Sequence, residues 1–314
     1  MASCKPLDGE ERMMSELNRF QSDQVIVKLQ NWAKERASIR TMLLTSTRAN
    51  PHAIVDPLSD YDIVLVVEDI RPYYQDRNWL DEFGEVLVTY WDPIYQSPET
   101  GIEIFGNVVQ YSYGLKIDFT LWPISQVQKI AEGKRLPADL DVGYAVLLDK
   151  DGVTDRLAPP TYTVYIPAPP TKAIFDKVVE DFYSDAPYVA KCLLREELIP
   201  AKWCLEYDMK HLFLRQMLEW RMELDYAWSM PVGALGKGLK KRLSTVTWTA
   251  LEATYAGAGL DENWEALFKT LNLFRDVGEQ VAAGLGFEFP NELDRRVTIF
   301  LREYRTKGAA LLGR

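Results

Sequence analysis

At 314 residues, 47% of them hydrophobic, the chain is long enough for two domains with a core in each. Its 46 acidic and 36 basic residues leave a net charge of -10, which argues against a duplex-binding protein, because such a surface must neutralise phosphates, and better suits a cationic small molecule. Cys4, Cys192 and Cys204 are too few and too scattered for a disulfide framework. With no apolar run near the ~18 residues a span requires, and a charged N-terminus, the reading is a cytoplasmic protein with no membrane association.

In chain order, Met14, Leu17, Val25, Leu29 and Trp32 recur at helical spacing with no Pro or Gly between them, which predicts an amphipathic helix over 8–35. Ile39 to Thr45 reads as the first strand and delivers Ser46, Thr47 and Arg48 at its end. A strand-to-turn junction of this kind aims backbone N–H groups and hydroxyls at an anion. Asp60 to Glu68 is the second strand, its apolar run Ile63 to Val67 opened by two acids. Side chains alternate along a strand, so Asp60 and Asp62 share a face and Tyr61 takes the other. At ~3.3 Å per residue the two acids start about 6 to 7 Å apart, close enough to converge on shared hard cations, for which Mg²⁺ is the natural choice. Two other Asp-x-Asp pairs, Asp139/Asp141 and Asp149/Asp151, lie among turn formers and read as structural. His52 and His211 are too far apart in sequence to suggest a His-based zinc site.

Asn78 to Phe83 predicts a short helix, Glu85 to Tyr90 a third strand, and the segment 92–101 a loop. Ile102 to Tyr111 and Leu115 to Leu121 form a hairpin around Tyr113-Gly114. Asp118 sits in its second arm between Ile117 and Phe119, where an unpaired carboxylate is costly to bury. A metal shared with Asp60 and Asp62 would supply its partner.

Pro159, Pro160, Pro167, Pro169 and Pro170 mark a domain boundary near residue 165. Beyond it the chain is helical: Thr171 to Tyr183, Pro187 to Leu198, Ala201 to Trp228, and shorter helices over 240–255, 262–285 and 291–307. Leu205, Met209, Leu212, Phe213, Met217, Trp220 and Leu224 form the core stripe of the third. Glu180, Asp181 and Asp185, with Tyr188 interleaved, offer carboxylates and an aromatic face to a polycation.

Thr47-Arg48-Ala49-Asn50-Pro51 followed by Ser59-Asp60-Tyr61-Asp62-Ile63 resembles the signature of antibiotic nucleotidyltransferases of the DNA polymerase β type, most closely the aminoglycoside 6-adenylyltransferases, also called streptomycin adenylyltransferases. The segments 78–84, 116–121, 188–191, 195–198, 217–220 and 286–290 resemble that family in the same order, so the likeness spans nearly the whole chain. At one point the chain departs: the family has Gly-Ser before the Arg, and Ser46-Thr47 stands there. The resemblance implies an α+β fold, with a nucleotidyltransferase domain over 1–165 (a mixed sheet flanked by helices) and an all-helical substrate-binding domain over 166–314. It implies transfer of AMP from ATP to a hydroxyl of a streptomycin-like aminoglycoside with release of pyrophosphate, by an in-line two-Mg²⁺ mechanism and with no nucleic acid involved. Asp60, Asp62 and Asp118 would hold the ions, Asp118 also serving as general base. Ser46, Thr47, Arg48, Lys191 and Lys202 would bind the nucleotide, and Glu180, Asp181, Asp185 and Tyr188 the acceptor. A monomer is favoured. The alternatives are the same chemistry on a lincosamide, metabolite or protein hydroxyl, and a nucleotide-binding protein that has lost transfer.

Overall fold

The structure, a computed structural model, describes residues 23–133 and 135–311, and the chain divides into two compact units, Met1–Val164 and Tyr165–Arg314. In the first unit, helix α1 (Gln24–Lys34) begins at Asp23, whose carboxylate accepts hydrogen bonds from the Val25 and Ile26 amides at 3.0 and 3.2 Å. This N-cap fixes where the helix starts. The part of the expected helix that holds Met14 and Leu17, like Cys4, lies outside the described residues.

The strands are β1 (Ile39–Thr45), β2 (Tyr61–Val67), β3 (Val86–Trp91), β4 (Tyr95–Gln96), β5 (Glu103–Tyr111), β6 (Lys116–Pro123) and β7 (Tyr144–Asp149). They form one mixed sheet in the order β3-β5-β6-β2-β1-β7, with the short β4 on β5. Only β2 and β6 run parallel; every other pairing is antiparallel. The hairpin β5–β6 turns at Tyr113-Gly114 as its sequence requires. The segment 92–101, expected as loop, contributes β4, and β7 and helix α4 (Ile124–Ala131) are further elements that the sequence reading did not contain. Two short helical turns, α2 (Ser46–Ala49) and α3 (Arg71–Gln75), follow β1 and β2; Asn78–Phe83 is a 3₁₀ helix, and α5 (Ala138–Asp141) precedes β7.

Both faces of the sheet are covered. Ile63, Leu65, Phe105, Val109, Ile117 and Phe119 pack with Leu29 and Trp32 of α1 on one face, while Leu43, Val64, Val66 and Trp122 meet Val127 and Ile130 of α4 on the other. Two-sided burial is why β2 reads as a continuous apolar run.

The second unit is all helical: α6 (Lys172–Leu194), α7 (Leu198–Lys202), a π-helical stretch Trp203–Leu214 continuing into α8 (Arg215–Tyr226), α9 (Leu239–Arg242), α10 (Thr245–Glu252), α11 (Leu260–Leu285) and α12 (Asn291–Leu311). Two expectations are corrected here. Pro187 does not open a new helix but lies inside α6, where the missing amide bond, a loss of up to ~3 kcal/mol, is offset by the full burial of Phe182, Tyr183, Ala186, Val189 and Ala190 around it. The expected core stripe holds at Leu205, Met209, Met217 and Trp220, which are buried, but slips in phase between them: Leu214 and then Leu218 are buried, while Leu212, Phe213 and Leu224 are only half-buried. Steps of four, five and four residues match the wider π-helical turn rather than an α-helix.

Phe182 stacks on Phe274 at 3.6 Å between ring centroids, in the middle of this core. A Cβ added at Gly278, on the same helix as Phe274, would lie 2.5 Å from the Phe289 ring. Gly278→Ala is therefore expected to destabilise the protein by about 1–3 kcal/mol despite the better helix propensity of alanine, measured as a lower urea midpoint with an unchanged slope.

Candidate active site

The parallel pairing of β2 with β6 sets Asp62 directly opposite Asp118. Both residues point away from the α1-covered core, because their neighbours Ile63, Ile117 and Phe119 fill it. Asp60, two residues before Asp62, joins them through Lys116, whose Nζ donates to Asp60 Oδ2 at 2.6 Å and to Asp118 Oδ2 at 2.9 Å. The sheet thus gathers three carboxylates and one ammonium where β2 and β6 begin. Lys116 was missed as a functional residue, although its spacing of two from Asp118 places it on the same strand face.

The electrostatics follow from that crowding. Burial, then the charges of Asp118 and Asp60, push the Asp62 carboxyl up to about 6. Burial likewise raises Asp118, against the opposing pull of Lys116. For Lys116 itself burial would lower the ammonium, but its hydrogen bonds to Asp60 and Asp118 outweigh this and hold it above its ordinary value. One ammonium against three carboxylates leaves two formal negative charges, and Asp118 Oδ1 is buried without a hydrogen-bond partner. Hard anionic oxygens, surplus negative charge and an orphaned lone pair are what a divalent cation would satisfy. The residues present fit one.

Arg48 is tied to its own surroundings by several contacts. Its guanidinium donates to the Asp60 carbonyl at 3.0 Å and the Ser59 carbonyl at 2.9 Å, lies 3.7 Å over the Tyr61 ring and sits 3.6 Å from Asp23. Tyr61 in turn donates its hydroxyl to Asp23 at 2.8 Å. This network ties the start of α1 to the entrance of β2, so Arg48 positions the backbone of Asp60 rather than reaching outward.

Ser46 stands where the resembling family carries glycine, and its φ of 62° keeps the left-handed backbone that glycine would adopt. A serine there costs of order 1–2 kcal/mol, and its hydroxyl hydrogen-bonds the Asp62 carboxylate, opposing the upward shift of Asp62. The Ser46 amide is already given to the Gly143 carbonyl at 3.0 Å, so it is not one of the free donors that an anion nest would use. Thr47 lies half-buried on the same turn. The other two Asp-x-Asp pairs are structural: Asp141 accepts from Thr161, Asp149 from the Val153 and Thr154 amides, and Asp151 from Arg40.

In the second unit the expected binding residues separate. Asp185 comes together with Cys204 and Asp208, their ligand atoms all within 4.8 Å of one another. Asp181 pairs with Lys177 instead, and Glu180 is exposed one position away. Tyr188 is half-exposed. Lys191 is exposed on α6, whereas Lys202 is held by Glu206 at 3.0 Å and the Ala256 carbonyl at 2.8 Å. Next to Asp208 in sequence lies a row of rings the sequence reading did not contain: Trp203 meets Tyr207 at 5.1 Å between centroids with the rings tilted, and Tyr207 stacks on His211 at 5.5 Å.

A model of the family described as streptomycin adenylyltransferase matches residues 21–304. The chain belongs to that family. An aminoglycoside 6-adenylyltransferase of Bacillus subtilis (strain 168) is 30% identical over 255 residues, 81% of this chain and 87% of the relative. One of Campylobacter jejuni is 30% identical over 267 residues, 83% of this chain and 88% of that one. A crystal structure of an aminoglycoside 6-adenyltransferase from Bacillus subtilis, 25% identical, aligns over 95% of this chain and 98% of that chain with a TM-score of 0.41. Streptomycin adenylyltransferase family membership makes the chain a nucleotidyltransferase.

The crowded carboxylates have a measurable consequence for stability. Asp62 titrates near 3.8 when unfolded and about 6 when folded, so the native state binds the extra proton, and ionising Asp62 weakens the fold as pH rises between those values. The penalty is absent well below pH 4 and complete above pH 6. In metal-free buffer, Asp62→Asn is expected to raise Tm by a few degrees at pH 7.5, about 1–3 kcal/mol, and by little at pH 4; differential scanning calorimetry at the two pH values checks this.

Proposed function

We propose that the chain transfers AMP from ATP to a hydroxyl of an aminoglycoside of the streptomycin type, releasing pyrophosphate, as a cytoplasmic monomer. The observation that supports this most is the β2–β6 register, which puts Asp62 beside Asp118, with Asp60 linked to Asp118 through Lys116, in a chain of this family. Asp60 and Asp62 would hold two Mg²⁺ ions and Asp118 would complete the site of one. Bound there, the ions supply charge stabilisation for the attacking and leaving oxygens of an in-line displacement.

The chain's own groups do the rest. Asp118 accepts the proton of the acceptor hydroxyl, and burial, which keeps its carboxyl above the ordinary range, moves it toward the pH at which a general base works best. Arg48 keeps the Asp60 carbonyl and the entrance of β2 fixed while charge develops. The hydroxyls of Ser46 and Thr47, on the turn after β1, attract the triphosphate. On the acceptor side, Asp185, supported by Asp208, meets an ammonium or guanidinium group of the antibiotic, and the rings of Trp203 and Tyr207, with Tyr188, give its sugars and cations a π face. Asp181 and Glu180 add long-range attraction only.

The test is mass spectrometry of streptomycin incubated with the protein, ATP and Mg²⁺. A product heavier by one adenylyl group is expected, with turnover falling by a factor of about 10²–10³ or more in Asp60→Asn and Asp118→Asn. Near-normal turnover in either variant removes that residue from the chemistry. Product on another aminoglycoside but not on streptomycin moves the acceptor and keeps the reaction.

A further inference from the structure

Among the described residues of the first unit, Lys116 is where a side-chain cation touches two of the three clustered acids. Its Nζ lies 2.6 Å from Asp60 Oδ2 and 2.9 Å from Asp118 Oδ2. These are the distances of a full charge-assisted pair, and they engage the oxygens that a hard cation would seek. A divalent ion bound at ~2.0–2.1 Å to either oxygen and an ammonium at hydrogen-bond distance from both would be like charges in near contact, on the same lone pairs. Both cannot keep the seat. Asp118 Oδ1, by contrast, is buried and unpartnered, so one oxygen of Asp118 is left uncommitted while Lys116 holds the other. The lysine is also free to leave: its side chain is 30% exposed on a flexible four-carbon stem, and it stands at the first residue of β6, next to the hairpin turn, rather than deep in the strand.

Resting on the proposed reading of the centre as a metal site, we propose that Lys116 is its resident counter-cation: it bridges Asp60 and Asp118 in the metal-free protein and is displaced from that bridge when a divalent cation binds. It thereby spares the empty fold the repulsion of three clustered carboxylates, and it sets a threshold that weakly held ions do not cross. Lys116 is a positioning residue, acting through the acids it holds.

The experiment uses the full chain, stripped of metal, with Mn²⁺ as the probe and binding read from the resonance of free Mn²⁺. In parallel, an amine-reactive acylating reagent is applied with and without saturating Mn²⁺ or Mg²⁺, and acylation of Lys116 is quantified by peptide mass spectrometry against exposed Lys191. Labelling of Lys116 is expected to rise several-fold on adding metal. Lys116→Met is expected to bind Mn²⁺ about tenfold tighter or more, having lost a unit charge in contact with the ligands, and to have a lower metal-free Tm. Lys116→Arg restores that Tm but not the tighter binding. Tighter binding alone would follow from charge removal even if the lysine never moved, so the labelling result decides: unchanged or reduced labelling with metal overturns the proposal, whether or not the Met variant folds. Adenylyl transfer by the same preparations separates the two levels. Product without any change at Lys116 removes this inference and keeps the proposed function, while no Mn²⁺ binding by either wild type or Lys116→Met removes the metal reading and this inference with it.

Discussion

The repulsion among Asp60, Asp62 and Asp118 is the constraint on which the first unit depends. The fold concentrates these acids rather than dispersing them, and it does so by the one parallel pairing in an otherwise antiparallel sheet. Parallel strands start at the same end, so the acids at the head of β2 and near the head of β6 lie side by side; an antiparallel partner in that position would have placed Asp118 at the far end. The unfavourable contact is contained by neighbours of two kinds. Lys116 answers the charge, and the Asp23–Arg48–Tyr61 network answers the backbone, anchoring the strand entrance so that the acids cannot splay apart to relieve themselves. Groups held in an electrostatically poor arrangement by a well-packed surround are a common signature of sites prepared for a ligand.

The two units solve different physical problems. The first holds a few atoms rigidly, and a sheet buried on both faces suits that purpose. In the second, the π-helical stretch carries the rings of Trp203, Tyr207 and His211 at four-residue spacing and brings Asp208 close to Asp185. Such a surface has breadth and negative charge rather than a fixed point, which suits recognition of a large, flexible, cationic molecule more than catalysis.

Much of this was legible in the sequence. Strand periodicity gave β1 residue for residue and put Asp60 and Asp62 on one face, because alternation is a property of the backbone alone. The hairpin followed from Tyr113-Gly114. What could not be read were features set by tertiary packing. Pro187 is a breaker in isolation and lies inside a helix here because the burial around it outweighs one lost hydrogen bond. The phase slip between Met209 and Leu214 is invisible to a rule that assumes 3.6 residues per turn. Nothing in the sequence pairs Arg48 with the carbonyls of Ser59 and Asp60 and the Tyr61 ring, which only the folded chain brings to it. Lys116 could have been found by parity alone, and its partner Asp60, 56 positions away, only by the register.

That separation bears on when the centre comes into being. No pair of strands adjacent in sequence contains it: β1 and β2 can pair as neighbours, and β5 and β6 as a hairpin, but the acids meet only when the hairpin docks alongside β2, a non-local event. The nascent or partly unfolded chain therefore carries its aspartates as isolated, ordinary carboxylates. Affinity for a metal or a nucleotide arises at the moment the sheet closes, so any ion the centre takes up reports on, and adds to, the completeness of the fold.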